Sequence, residues 1–184
     1  MTRAGVADVA GVVDRVAESA VAGADELLRG GEGLPMPTVH MLCGDLDSPY
    51  VGYLTCRASA AGRESASAVG LLGRLPAVVA ATHLVIVWEY ASLHAALEPS
   101  GDPGPTGLVV VAASMTDHAV RWHPFRVTSG RVEWGSTGRF PGAVLPLPVE
   151  DLLSTWRRGI DDDVAATVEM LERAGYLLRW AARS

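Results

Sequence analysis

Two nearly continuous apolar runs constrain the fold of this chain more than any other feature. His83–Glu89 reads His-Leu-Val-Ile-Val-Trp-Glu, and Gly107–Ser114 reads Gly-Leu-Val-Val-Val-Ala-Ala-Ser. A strand that is apolar on both faces is buried on both faces. The two runs therefore predict central strands of a sheet that has other elements packed on each of its faces. We therefore expect the most buried residues on these adjacent strands, at Val85, Val87, Val109 and Val111.

Periodic patterns predict the elements around these two strands. Val6–Arg29 repeats apolar residues every three or four positions, as a helix does, and Gly30-Gly31 ends it. Clusters of glycine, proline and aspartate separate the remaining segments. The predicted strands are 37–43, 50–57, 119–128, 131–134 and 176–180, and the predicted helices are 63–81 with a kink at Pro76, 91–98 with Ser92 as N-cap, 149–158 and a helix opened by Asp161–Asp163.

Three of these segments leave an alternative open. Pro124 makes 119–128 an edge strand or introduces a bulge, because proline cannot donate a hydrogen bond to a sheet ladder. The C-terminal segment is either the strand 176–180 or a continuation of the preceding helix. The Gly/Pro-rich stretch Gly135–Pro148 is predicted to be irregular, as a functional loop or a surface wrap.

The order of elements predicts the fold class α/β (α+β), with a single mixed β-sheet and helices packed on its faces. The order is α-β-β-α-β-α-β-β-β-α-α-(β). A chain of 184 residues has the length of one domain with a small addition. We divide it into an N-terminal helix, 1–31, and a single mixed α/β domain, 32–184.

The N-terminal helix allows two interpretations. Its apolar stripe is narrow and consists of small side chains. The stripe either docks the helix on its own domain or forms a self-association seam of the kind found in coiled coils. In the second case the protein is a homo-oligomer, most simply a homodimer, with interface residues Val6, Val9, Val13, Val16 and Ala20.

Composition excludes several classes of function. All 15 basic residues are arginine, and against 21 acidic residues they give a net charge of −6, which argues against a nucleic-acid binder. The absence of lysine removes P-loop and Schiff-base chemistry. The bias toward arginine, alanine, valine and glycine resembles the composition of actinobacterial proteins and carries no function.

We expect a cytoplasmic bacterial protein that does not contact a membrane. The N-terminus lacks the continuous apolar core of a signal peptide. The longest apolar stretch, around 75–88, is too short and too interrupted to span a bilayer. Cys43 and Cys56 are then expected to be free thiols, because disulfides are rare in the cytoplasm.

Glu89, His94 and His123 are the candidate catalytic residues. Glu89 ends the most apolar strand, and ligands of open α/β sheets bind beyond strand ends. A carboxylate there is a candidate general base or metal ligand. The alternative is that Glu89 only ends the strand and bonds backbone or pairs with an arginine. Arg57 and Arg121 are the candidate contacts for an anionic or polar ligand.

We expect neither a tightly bound metal nor a cofactor. None of the five histidines has HxH or HxxxH spacing. Arg121-Trp122-His123-Pro124 resembles part of the His-x-His-Pro element of JAB/MPN-type zinc peptidases, but Arg121 stands where that element has its first histidine. Asp45 and Asp47 are typical of a turn, and a Mg²⁺ or Ca²⁺ site is the alternative interpretation. No nucleophile elbow, CxxC pair or dinucleotide-binding glycine motif occurs.

The predicted function is therefore a non-catalytic protein-interaction module that binds a protein partner or a second copy of itself. Five tryptophans, several of them beside arginine, favour this prediction, because both residue types are enriched in interfaces. The alternative is a small hydrolase-type enzyme with a pocket near Glu89, His94 and His123. A deep pocket in which Glu89 and a histidine converge would favour the enzyme.

Overall fold

The computed structural model describes residues 8–102 and 104–182. Its helices are α1 (Val9–Arg29), α2 (Arg63–Leu71), α3 (Arg74–Val78), α4 (Tyr90–Leu97), α5 (Leu147–Arg158) and α6 (Val164–Arg173). Its strands are β1 (Thr38–Leu42), β2 (Tyr50–Thr55), β3 (His83–Glu89), β4 (Gly107–Ser114), β5 (His118–Thr128), β6 (Arg131–Trp134), β7 (Gly138–Pro141) and β8 (Leu177–Trp180). The C-terminal segment is thus the strand and not a continuation of α6.

The strands form one eight-stranded sheet in the order β6-β5-β4-β3-β1-β2-β8, with β7 paired to β5. The predicted class, a single sheet with helices on its faces, is confirmed. The strand pairs are antiparallel, whereas the order of elements predicts a mixed sheet. The reason is that β1 lies between β2 and β3 and pairs antiparallel with both, so the crossover through α2 and α3 creates no parallel neighbours.

The two central strands carry the core on both faces of the sheet. Val85 and Val87 pack on the α1 side, and Val109 and Val111 pack on the side of α2 to α6. Val85 and Val111 are fully buried, and Val109 and Val87 are 4% and 6% exposed. The burial predicted from the two apolar runs is confirmed, because helices cover both faces of these strands.

The apolar stripe of α1 lies against the sheet of its own chain. Val13 is buried at 9% exposure, together with Ala17. Val9, Val16 and Ala20 are half-buried and pack against the same cluster. Val6 lies outside the described residues. The buried part of the stripe is therefore used for intramolecular docking, while self-association through α1 stays a prediction.

Polar contacts fix both ends of α1. Asp8 caps the helix, since its carboxylate accepts a hydrogen bond from the Gly11 N–H at 3.1 Å. Asp14 forms an ion pair with Arg121 on β5. Near the C-terminal end, Asp25 accepts a hydrogen bond from the Trp134 indole N–H at 2.8 Å. The contacts of Asp14 and Asp25 connect α1 to the β5–β6 half of the sheet.

Tertiary contacts place two helix boundaries differently from the sequence analysis. The helix predicted over 63–81 breaks at Gly73, before Pro76. A Cβ at Gly73 would stand 2.9 Å from the carbonyl carbon of Leu152, so α5 can approach only because this position has no side chain. The N-cap of α4 is Glu89 and not Ser92, because the Glu89 carboxylate accepts from the first backbone N–H groups of the helix.

The segment predicted to be irregular, Gly135–Pro148, contains β7 and the first two residues of α5. β7 pairs with the first half of β5 and β6 with its second half. Pro124 lies at the gap between these two partners, where its missing N–H costs no hydrogen bond on that side. β5 is thus an interior strand, and the proline marks a change of partner.

Candidate functional site

Glu89 is a helix cap in this structure. Its two carboxylate oxygens accept hydrogen bonds from the backbone N–H groups of Ala91 at 3.1 Å and of Ser92 at 2.5 Å. The residue is 8% exposed. Both oxygens therefore bind backbone N–H groups in the first turn of α4 that have no partner within the helix. This is the alternative in which Glu89 ends the strand and bonds backbone.

The other two catalytic candidates lie elsewhere. His94 is on α4 and stacks on Tyr90 with a 6.0 Å centroid distance. His123 is opposite Leu108, on the face covered by α1, and its Nδ1 is 3.1 Å from the Thr137 hydroxyl. The side chains of Glu89, His94 and His123 border three different cavities. The structure does not bring them together.

Within residues 8–102 and 104–182, no group of three His, Cys, Asp or Glu side chains is placed to hold a metal ion. The candidate ligand-binding arginines already have anionic partners. Arg57 lies 2.9 Å from the Glu64 carboxylate, and Arg121 pairs with Asp14. A polar ligand at either arginine would have to compete with a carboxylate of the chain itself.

The two cysteines are buried and unbridged in the described structure. Burial raises the pKa of the Cys56 thiol to about 11 and also raises the pKa of Cys43. The thiolate is the nucleophilic form of cysteine. Both side chains are therefore protonated at neutral pH and act as small apolar groups in the core.

A surface cavity of about 540 Å³ lies between α2, α4 and the start of α5, and we call it the α2–α4 cleft. Its apolar walls are formed by Trp88, Leu93, Leu97, Pro146, Leu147 and Pro148, and its polar lining by Arg63, Tyr90, His94 and Glu98. The volume is in the range of small-molecule sites. Of the predicted site residues, only His94 lines this cleft.

A row of aromatic side chains continues from the cleft across the sheet, and we call His94, Tyr90, Trp122 and Phe140 the aromatic ridge. Tyr90 meets Trp122 edge to face at 5.6 Å between centroids. Trp122 lies opposite Gly138, and the Phe140 ring lies across that glycine, 2.7 Å from where its Cβ would be. The ridge therefore runs along the face that also carries α2 to α6.

The segment that follows the Phe140 end of the aromatic ridge and leads to the cleft exposes several apolar side chains. Phe140 is 51% exposed, and in the following segment Leu147 is 72% and Val144 96% exposed. Contiguous exposed apolar side chains mark interaction sites more often than isolated ones do. The sequence pattern does not reveal this surface, because the glycines and prolines of 135–148 predict only an irregular functional loop or surface wrap. The tryptophans are the one sequence feature that indicates an interaction surface. Two of them, Trp88 and Trp156, are core residues in the structure.

His40 on β1 is a half-buried titratable group whose pKa is shifted by its surroundings. Burial lowers the pKa of His40 to about 4. Its Nδ1 lies 3.0 Å from the Tyr50 hydroxyl, and its ring is 5.5 Å from the Tyr53 ring. The imidazole is therefore neutral in the folded protein over the physiological pH range.

Acidification is expected to destabilise the protein through His40. The unfolded chain takes up the proton near pH 6.5 and the folded chain only near 4, so the His40 contribution is fully present above pH 6.5 and is lost as pH falls toward 4. The loss amounts to at most about 3 kcal/mol. Urea denaturation of wild type and His40→Gln at about pH 7 and about pH 4.5 measures it. If the unfolding free energy falls by the same amount between these two pH values in both proteins, the assignment to His40 is contradicted.

The comparisons with known proteins add no relative: no protein-family model matches the chain, and neither does a curated protein or a solved structure. Across the described ranges, no helix is both long and apolar enough to cross a membrane. The function must therefore be argued from the geometry of the chain itself.

Proposed function

We propose that the chain is a non-catalytic domain that binds an apolar segment of a partner protein along the aromatic ridge. The observation that carries the proposal is the exposure of three apolar side chains in the short segment 140–147: Phe140 is 51%, Val144 96% and Leu147 72% exposed. Aromatic and apolar anchors supply most of the binding energy in protein interfaces. The separation of Glu89, His94 and His123 into three cavities argues against the hydrolase alternative.

The charges beside the ridge favour a partner segment with basic residues. Glu98 lines the cleft, and Glu150 lies in the first turn of α5. Asp102 follows Gly101, where an added Cβ would lie 3.2 Å from His94 Nε2. Arg63 is the basic residue of the cleft lining. The whole chain carries a net charge of −6. A segment that combines apolar side chains with Arg or Lys would complement this surface.

We also propose that the domain works in the bacterial cytoplasm. Support comes from the actinobacterial type of composition and from the two buried thiols, which suit a reducing compartment.

Selection from a displayed library of random peptides of about 12 residues tests the proposal. Peptides enriched on the wild-type protein are expected to combine apolar and basic residues. They should bind the double variant Phe140→Ser/Leu147→Ser about tenfold more weakly or worse. The matched control Val127→Ser/Leu46→Ser removes two exposed apolar side chains, one on β5 and one in the turn between β1 and β2, and it should bind like wild type.

Two results would overturn the proposal. One is equal binding of the enriched peptides to the ridge variant and the control variant. The other is a homodimer in light scattering that only the ridge variant converts to a monomer. In that case the occupant of the ridge is a second copy of the chain and not a foreign segment.

A further inference from the structure

We propose that a small cavity at the start of α4 binds a primary ammonium group on a short apolar chain. A free alkylamine and the side chain of a lysine both carry such a group, and a titration can distinguish the two sources. The cavity has a volume of about 130 Å³ and lies between the segment before β1, the loop after β2, α2 and α4. We call it the Glu89 cavity. Its described lining shares no residue with the aromatic ridge, so the site goes beyond the proposed partner surface.

Glu89 gives this cavity a buried carboxylate that lacks a cationic partner. The residue is 8% exposed, and it accepts hydrogen bonds from the backbone N–H groups of Ala91 and Ser92. It forms no ion pair with any residue that the structure describes. Carboxylates are almost never this deeply buried unless a positive charge compensates them. The two hydrogen bonds leave lone pairs on both oxygens, so a cation in the cavity would complete the set.

Serine hydroxyls add further acceptors to the cavity. Ser59, in the loop after β2, and Ser65, on α2, both line it, with 3.0 Å between their hydroxyl oxygens. The Ser65 hydroxyl donates to the Ala60 carbonyl at 3.0 Å. The Ser59 hydroxyl therefore donates to Ser65, and its own lone pairs stay free to accept a hydrogen bond.

These polar groups favour a ligand that only donates hydrogen bonds. An ammonium group has three donors and no acceptor, whereas a carboxylate or carbonyl group of a ligand would meet further acceptors. No arginine or histidine lines the cavity within residues 8–102 and 104–182. The same residues contain no group of three His, Cys, Asp or Glu side chains that could hold a metal ion. The cation that suits the cavity is therefore an organic ammonium.

The apolar walls and the volume determine the body of the ligand. Leu34, Pro37, Val69, Leu93 and Ala96 form most of the apolar lining. An apolar cavity of about 150 Å³ can hold benzene, so the volume here admits about five or six non-hydrogen atoms. An ammonium group on a chain of about four carbons fills that space, with its charge at the acceptors and its chain against the walls.

The cavity reaches the protein surface on one side. Pro35, Met36 and Ser92 line it and are exposed, whereas Val69 and Leu93 close its inner side and are 3% and 4% exposed. Methionine side chains are unbranched and adapt their shape readily. A small amine can therefore enter beside Met36 without any movement of a strand.

Ligand-observed NMR titration of the full chain at neutral pH tests the proposal with defined probes. n-Butylamine is expected to bind with a dissociation constant of about 1 mM or lower. n-Butanol keeps the chain but lacks the charge, and ammonium chloride keeps the charge but lacks the chain. 2-Phenylethylamine has both but exceeds the cavity with about nine non-hydrogen atoms. Each of these three is expected to bind about tenfold more weakly than n-butylamine.

One further probe identifies the source of the ammonium group. Nα-acetyl-L-lysine methylamide carries the same butylammonium on a peptide backbone. If it binds more tightly than n-butylamine, the natural occupant is a lysine side chain of another protein, since this chain contains no lysine. If n-butylamine binds more tightly, the occupant is a free amine.

Matched variants separate the cavity from general charge effects. Glu89→Gln removes the charge, and Ala96→Leu fills the cavity while leaving the carboxylate in place. Both are expected to weaken the binding of n-butylamine about tenfold or more. Asp163→Asn is the control, because it also neutralises a helix N-cap, that of α6, but outside the cavity. This control and the ridge variant Phe140→Ser should bind like wild type.

Three results would overturn the inference. They are the absence of binding for n-butylamine and the lysine derivative at about 10 mM, equal affinity for n-butanol and n-butylamine, and unchanged affinity in Ala96→Leu. Far-UV circular dichroism establishes that each variant is folded. Ala96→Leu keeps the cap of α4, so it decides the question even if Glu89→Gln does not fold. A failure of the peptide selection at the ridge leaves these measurements unaffected, so the two proposals fail independently.

Discussion

Replacing Val111 with aspartate is expected to prevent the chain from folding. Val111 is fully buried in β4, and its cross-strand neighbours Ile86 and Val120 are both apolar. The new carboxylate would have no cation or donor beside it, and burying it would cost several kcal/mol. That cost approaches the entire stability of a typical domain, which is about 5–15 kcal/mol. Soluble yield and near-UV circular dichroism measure the outcome.

Val127→Asp is the matched control for this prediction. Val127 lies in β5, also in a strand, but it is 51% exposed. A carboxylate there remains hydrated, and the unfolding free energy should stay within about 0.5 kcal/mol of wild type. A folded Val111→Asp with a stability close to that of the control would show that β4 does not lie at the centre of the sheet.

The strands could be predicted where local pattern and tertiary environment agree. The run His83–Glu89 is apolar because helices cover both faces of β3, so its sequence alone reports its burial. β7 carries no such signal, since Gly138–Pro141 is only four residues long and contains both a glycine and a proline, which are rare in strands. The strand directions could not be predicted from the sequence either, because the position of β1 between β2 and β3 depends on long-range pairing.

The candidate site was less predictable than the fold. Sequence spacing nominates Glu89, His94 and His123, but convergence depends on which face of the sheet each residue occupies. In β5, Trp122 and His123 are adjacent and therefore point to opposite faces, so His123 lies under α1 while Trp122 joins the aromatic ridge. The cleft could not be inferred at all, since its walls come from elements distant in the chain.

Gly73→Ala is expected to destabilise the protein by about 3 kcal/mol, although the backbone at this position suits any residue. Gly73 has φ −73° and ψ −13°, which is ordinary helical geometry. The added Cβ would overlap the Leu152 carbonyl group of α5, and backbone atoms inside a helix cannot move aside without breaking its contacts. Urea denaturation measures the loss of stability.

Gly23→Ala is the matched control, and the opposite sign is expected there. Gly23 lies within α1, and no atom outside its own helix backbone and chain neighbours lies within 4 Å of a Cβ built on it. Alanine at that position lowers the entropy of the unfolded chain and should stabilise the protein by about 1 kcal/mol. Because both substitutions add the same methyl group to a helical backbone, the difference in sign isolates the contact between Gly73 and α5. Equal effects at the two positions would mean that α5 does not pack against the junction of α2 and α3, and the wall that Pro146–Pro148 gives to the cleft would then be wrong as well.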